Sequence, residues 1–114
     1  MRIVKREEFY KLPAGMLYAE YSPQVFTGLM RKGETIYDNE VPVDYVEISL
    51  IDEIECTGDV DMMGQLDIAM DGETNIPMAF GMSRRNGLYT DAPEYYAVWD
   101  HDDINGLVKV LATC

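Results

Sequence analysis

Residues 50–61 read LIDEIECTGDVD and place five carboxylates, Asp52, Glu53, Glu55, Asp59 and Asp61, in twelve positions among apolar Leu50, Ile51, Ile54 and Val60. Carboxylates at that density can hold a cation, handle protons or face a basic partner. The stretch DVDMMGQLD opens like a calcium loop, with Asp59, Asp61, Gly64 and Asp67 at the spacing of its first, third, sixth and ninth positions. Such a loop also needs an oxygen ligand at the fifth position and a glutamate at the twelfth. This chain has Met63 and Met70 there, and Asp71 comes one residue late, about 100° further round a helix. The pattern predicts acids on the exposed side of a helix whose methionines pack inward, and no metal. A magnesium site of nuclease type would add a nearby Lys or His to manage the nucleophile. No Lys, Arg or His occurs between Gly33 and Ser83.

Proton transfer and nucleophilic catalysis find little material. His101 is the only histidine and stands among Asp100, Asp102 and Asp103, an exposed helix start by its neighbours. There is no G-x-S-x-G, no glycine-rich phosphate loop and no Cys–His spacing that suggests an activated thiol. The expectation is a protein that is not an enzyme and needs no cofactor.

Charge is more informative. The chain carries 9 Lys and Arg against 21 Asp and Glu, a net charge of −12. A charge of that sign repels DNA, RNA and anionic membranes, which argues against direct nucleic-acid binding despite the abundant tyrosines. The 51 residues from Gly33 to Ser83 hold thirteen acids and no base, whereas a merely solvated surface mixes both signs to limit self-repulsion. The asymmetry points to docking on a basic protein surface through Asp38, Glu40, Asp44, Glu47, Asp52, Glu53, Glu55, Asp59 and Asp61. A second constellation is SRRNGLYTD, residues 83–91, where the only adjacent arginines precede an Asn-Gly turn signal. Arg84, Arg85, Asn86 and Tyr89 would suit a phosphorylated nucleotide, with a homodimer interface as one way to complete the pocket. The competing reading is that both arginines pair with the chain's own acids.

The elements that carry these residues follow from periodicity. MRIV reads as a short strand and REEFYKL as a helix stopped by Pro13 and Gly15. GMLYAEYS alternates as a strand, VFTGLMR is a second, and residues 31–34 read as a tight turn into ETIYD. VPVDYVEISLI is the strongest strand pattern. DVDMMGQLDIAMDG reads as a helix with Asp59 as N-cap and Gly72 as the C′ residue, with Val60, Met63, Leu66 or Asp67, and Met70 spaced at three and four and the methionines packing inward. IPMAFGMS is a strand, RRNGLYTDAP a turn and EYYAVW a strand. Asp100 then caps a helix over HDDINGLVKVLA whose stripe of Ile104, Leu107, Val108 and Leu111 should be buried. The order gives α+β, one domain over residues 1–114, with a mostly antiparallel sheet and two or three helices on one face. Cys56 and Cys114 are expected free, as in a reducing cytosol. No apolar run reaches the ~18 residues of a membrane span, and the basic start lacks the apolar run of a secretory signal.

REEFYKLPAGMLYAEYSP and YAVWDHDDINGLVKVL resemble a loose group of small accessory proteins of tailed bacteriophages and prophages. These share a basic–acidic–aromatic opening with an L-P-x-G stop, and a closing aromatic strand with an acid-capped helix. The resemblance implies a viral protein in the host bacterial cytoplasm that binds and disables host machinery, including defence systems. On that view the acidic segment inhibits a host protein by covering its basic nucleic-acid-binding surface. Capture of a nucleotide immune signal at the Arg84–Arg85 turn, or a virion or assembly role with homo-oligomeric contacts, are the alternatives.

Overall fold

Glu7 and Glu8 begin, and Lys11 ends, a six-residue helix whose charges complement its dipole, and Pro13 forbids its continuation. In the computed structural model, which describes residues 1–22, 25–51, 53–72, 75–87 and 93–114, with the side chains of 25–27 also left aside, this is α1 (Arg6–Lys11). It follows β1 (Arg2–Lys5) and precedes β2 (Leu17–Ser22), β3 (Val25–Asp38), β4 (Val41–Ser49) and β5 (Glu53–Ile54). Then come α2 (Asp59–Met70), β6 (Met78–Ala79), β7 (Ser83–Arg85), β8 (Tyr95–Trp99) and α3 (His101–Ala112). The expected α+β class holds. Six strands form a sheet in the order β1-β8-β2-β3-β4-β7, and β5 pairs with β6 in a separate ladder. The described ladders β1–β8, β2–β8, β2–β3, β4–β7 and β5–β6 are antiparallel. Contacts divide the chain into two units, residues 1–48 with 83–114, and residues 49–82.

The larger unit is built around an aromatic box. Phe9 of α1 is fully buried and stacks on Tyr96 of β8, centroids 4.0 Å apart. It meets Tyr18 of β2 and Tyr45 of β4 edge-on at 4.8 and 4.9 Å, the geometry that ring quadrupoles favour. The Tyr45 and Tyr96 hydroxyls have no hydrogen-bond partner of normal geometry, although they lie close enough to each other and to Tyr18 to influence one another's protonation. Lys32 of β3 is buried beside this box, its Nζ 5.7 Å from the Phe9 ring centroid and donating to the Gly33 carbonyl and to Thr35 Oγ1.

Several expectations require correction. No turn forms at residues 31–34; β3 runs through them, and the reversal comes at Asn39 and Glu40, both with positive φ, at 49° and 67°. Gly33 imitates a turn residue but serves packing, since any Cβ there would collide with Val46. Asp59 is the first residue of α2, not its cap. Gly58 occupies the cap without a side-chain bond, and Asp61 instead accepts from the Thr57 N–H at 3.0 Å. Gly72 is the C′ residue expected, at φ 79°. Asp100 caps α3 as expected, in a reciprocal capping box with Asp103. The apolar stripes of the two long helices are not buried: Val60, Met63, Leu66 and Met70 of α2 and Val108 and Leu111 of α3 are exposed. Arg84 and Arg85, expected in a turn, lie on an edge strand.

Candidate functional site

β7 aligns Arg84 directly opposite Glu47, and Arg85 opposite Val46. The cross-strand neighbour relation puts the Arg84 Nε 2.8 Å from Glu47 Oε1. Its diagonal counterpart puts the Arg85 Nε 3.0 Å from Asp44 Oδ2. The next two residues complete the enclosure. Asn86 Nδ2 donates to Glu47 Oε2 at 3.0 Å, and the Gly87 N–H donates to Asp44. Asp44 Oδ1 also accepts from the Tyr45 N–H at 2.8 Å. The segment 84–87 is thus a clamp over two buried carboxylates, with three of its four members facing the acids through side chains.

Both guanidinium groups pair with the chain's own acids, as the competing reading of the arginines expects, and Arg84, Arg85 and Asn86 join Asp44 and Glu47 in an internal network. Tyr89, the remaining member of the proposed nucleotide site, lies outside the described residues. The same geometry corrects the acidic surface. Asp44 and Glu47 are buried, held by donors of the 84–87 segment, and so do not form part of an exposed acidic surface. Sequence alone does not reveal the pairing, since the acids and the arginines are about forty residues apart.

The remaining acids separate between the units. Asp38 ends β3 and Glu40 lies in the exposed β3–β4 turn of the larger unit. Glu53, Glu55, Asp59 and Asp61 belong to residues 49–82, as does Asp52, which lies outside the described residues. In that unit Asp61 is engaged with Thr57 and Gln65, and the Thr57 N–H holds its carboxyl below the usual range, with the Gln65 amide adding to the effect. Glu53 lies 3.5 Å from the Ser49 hydroxyl. Glu55, Asp59, Asp67 and Asp71 are exposed. Among the described residues, no three His, Cys, Asp or Glu side chains are grouped as a metal site would require, and no helix is long and apolar enough to cross a membrane. His101 is exposed on the first turn of α3.

The unusual property of residues 49–82 is their burial. Among its described residues Ser49 alone is buried; no apolar side chain is. Val60 is 87% exposed, Met70 85% and Phe80 72%. The unit holds five of the chain's eight methionines and no basic residue. A helix and a two-stranded ladder of this size are stabilised chiefly by buried apolar area, and here Val60, Met63, Met70 and Phe80 face outward in a unit rich in acids.

No family model, curated protein or solved structure matches this chain.

Proposed function

We propose that the protein acts by binding, as a non-catalytic inhibitor that covers a basic, nucleic-acid-handling surface of another protein with residues 49–82. The observation that carries this reading is the coincidence in one unit of exposed Val60, Met63, Met70 and Phe80 with acids and no base. Large exposed apolar patches edged by charge mark interaction surfaces. Methionine suits such surfaces because its side chain adapts to its partner's shape. The acids steer the approach and exclude acidic or neutral partners, while the apolar groups supply the affinity. The partner would therefore present Lys and Arg around an apolar depression, a description that fits surfaces evolved for nucleic acid. The phage-like chain ends would place that partner in a host bacterium.

The test uses two variant sets. One reverses Glu53, Glu55 and Asp59 to Lys, and the other replaces Val60, Met70 and Phe80 by Ser. Tagged wild-type protein should retain a basic nucleic-acid-binding protein from a bacterial lysate, release it in high salt, and block that protein's binding to DNA or RNA. Each variant set should lose both retention and blockade. A wild-type protein that retains such a partner yet leaves its nucleic-acid binding intact would overturn inhibition, and retention by both variant sets would overturn this surface.

A further inference from the structure

Leu17 of β2 pairs with Arg31 of β3 on one side and with Trp99 of β8 on the other. The three residues form one row across adjacent strands, so their side chains share a face, and Arg31 and Trp99 stand two strand spacings apart, roughly 10 Å. A pocket of about 290 Å³ opens there, lined by Gly15, Met16, Arg31, Trp99, His101 and Ile104 among others. The helix-stop segment LPAGM and the cap segment WDH, more than eighty residues apart in sequence, meet at this one place. Trp99 is the only tryptophan and His101 the only histidine of the chain.

The lining has a definite chemistry. Arg31 is exposed and, among the described residues, makes no ion pair, in a protein with more than twice as many acids as bases. Its guanidinium lies against Gly15, where a Cβ would come 3.4 Å from the terminal nitrogen. Gly15 has φ +101°, a conformation that glycine adopts without strain, so the backbone there yields its side-chain space to the arginine. Asp100 also lines the pocket; its carboxylate accepts from the Asp103 N–H at 3.0 Å as the helix cap and keeps its negative charge, which Arg31 must outweigh for an anion to bind. Arg31 and His101 supply donors to the lining, and Trp99, Met16 and Ile104 supply apolar surface. Guanidinium forks match carboxylate and phosphate oxygens in geometry, and indole faces stack on flat rings.

We propose that this pocket binds a small planar anion, a ring bearing a phosphate or a carboxylate, with Arg31 on the anionic group and Trp99 against the ring. The volume suits one ring system and one acidic group, near the lower end of ligand pockets. The site is separate from the acidic unit and from the Arg84–Glu47 clamp, and does not depend on the inhibitory reading above.

Because Trp99 is the sole indole, emission excited beyond the tyrosine absorption band reports on the surroundings of this one residue. The protein is titrated with AMP, benzoate, adenosine and inorganic phosphate, each at constant ionic strength. A saturable change in emission with AMP, with benzoate or with both supports the site, and the one that acts identifies the anionic group. Adenosine and phosphate, each lacking half of the ligand, should bind at least tenfold more weakly. Arg31→Gln should weaken the response at least tenfold while leaving the melting temperature within a degree or two, since Arg31 is exposed; Arg31→Lys should recover only part. Adenosine binding as well as AMP, an unchanged titration in Arg31→Gln, or no saturable response to either anionic ring would overturn the proposal.

Discussion

A Cβ built on Gly33 would stand 2.9 Å from both the Cβ and the Cγ1 of Val46, and 3.2 Å from that residue's carbonyl oxygen. β3 and β4 therefore approach at this point as only a glycine permits. Side chains can turn away from such a collision, but the carbonyl cannot. Gly33→Ala is expected to lower stability by about 1–3 kcal/mol, the range for an inserted methyl in a packed region. Adding Val46→Ala should restore part of that loss, the remainder belonging to the carbonyl. Urea unfolding of the four combinations measures both terms, and a neutral single variant would mean the strands have room to separate.

The clamp around β4 predicts an asymmetry between partners. Arg85 keeps 65% of its side chain exposed, while Asp44 keeps 4%. Removing Arg85 takes away one exposed donor, and water can reach the place it leaves. Removing Asp44 strands the N–H groups of Tyr45 and Gly87 together with the Arg85 guanidinium. Arg85→Ala should cost about 1 kcal/mol or less, and Asp44→Ala about 1–3 kcal/mol or more. Equal losses in chemical denaturation would show that the pair, and not the buried carboxylate with its backbone donors, holds β7 on the sheet edge.

The reversal after β3 offers a gain. Asn39 tolerates positive φ, but Glu40 at 67° holds a conformation that crowds an ordinary Cβ. A two-residue hairpin of this hand prefers Asn-Gly. Glu40→Gly is expected to raise stability by about 0.5–1 kcal/mol, the relief of strain exceeding the added entropy of the unfolded chain. Calorimetry should register this as a higher melting temperature; a lower one would place the turn elsewhere.

What the sequence disclosed, and what it withheld, divides by the range of the interactions. Most local signals hold: Pro13 ends α1, Gly72 follows α2, and Asp100 caps α3, because each acts on neighbouring residues, although Asp59 yields the α2 cap to Gly58. The α+β order also follows from local periodicity. Non-local facts were not legible. Gly33 lies beside Lys32 and before Glu34, the composition of a turn, and only its distance to Val46 explains it. Asp44 and Glu47 read as members of an acidic surface because their partners are supplied by β7 from far along the chain. The helices were misread for a different reason. Apolar spacing at three and four does not say whether anything covers a helix, and in α2 the apolar residues are spread around it; Val60, Met70 and Leu111 remain exposed.

The buried aromatic box and Lys32 predict opposing responses to alkali. Burial lowers the protonation constant of Lys32, with the charge of Glu34 opposing it weakly. The unfolded chain therefore keeps that proton to higher pH than the folded one, and stability should rise with pH from the lowered value up to about 10.5. Burial moves the phenols of Tyr18, Tyr45 and Tyr96 the other way, that of Tyr96 to about 12. Their stabilising share is fully present below about pH 10, where unfolded tyrosine titrates, and is lost as pH climbs towards the folded values. Stability should thus increase mildly into the alkaline range and then fall steeply above about pH 10. Lys32→Met should flatten the rise and leave the fall. Tyrosinate absorbance provides the independent check: of the eight tyrosines, these three should ionise only together with loss of the folded circular dichroism signal. Ionisation of all eight while the fold persists would mean that water reaches the box.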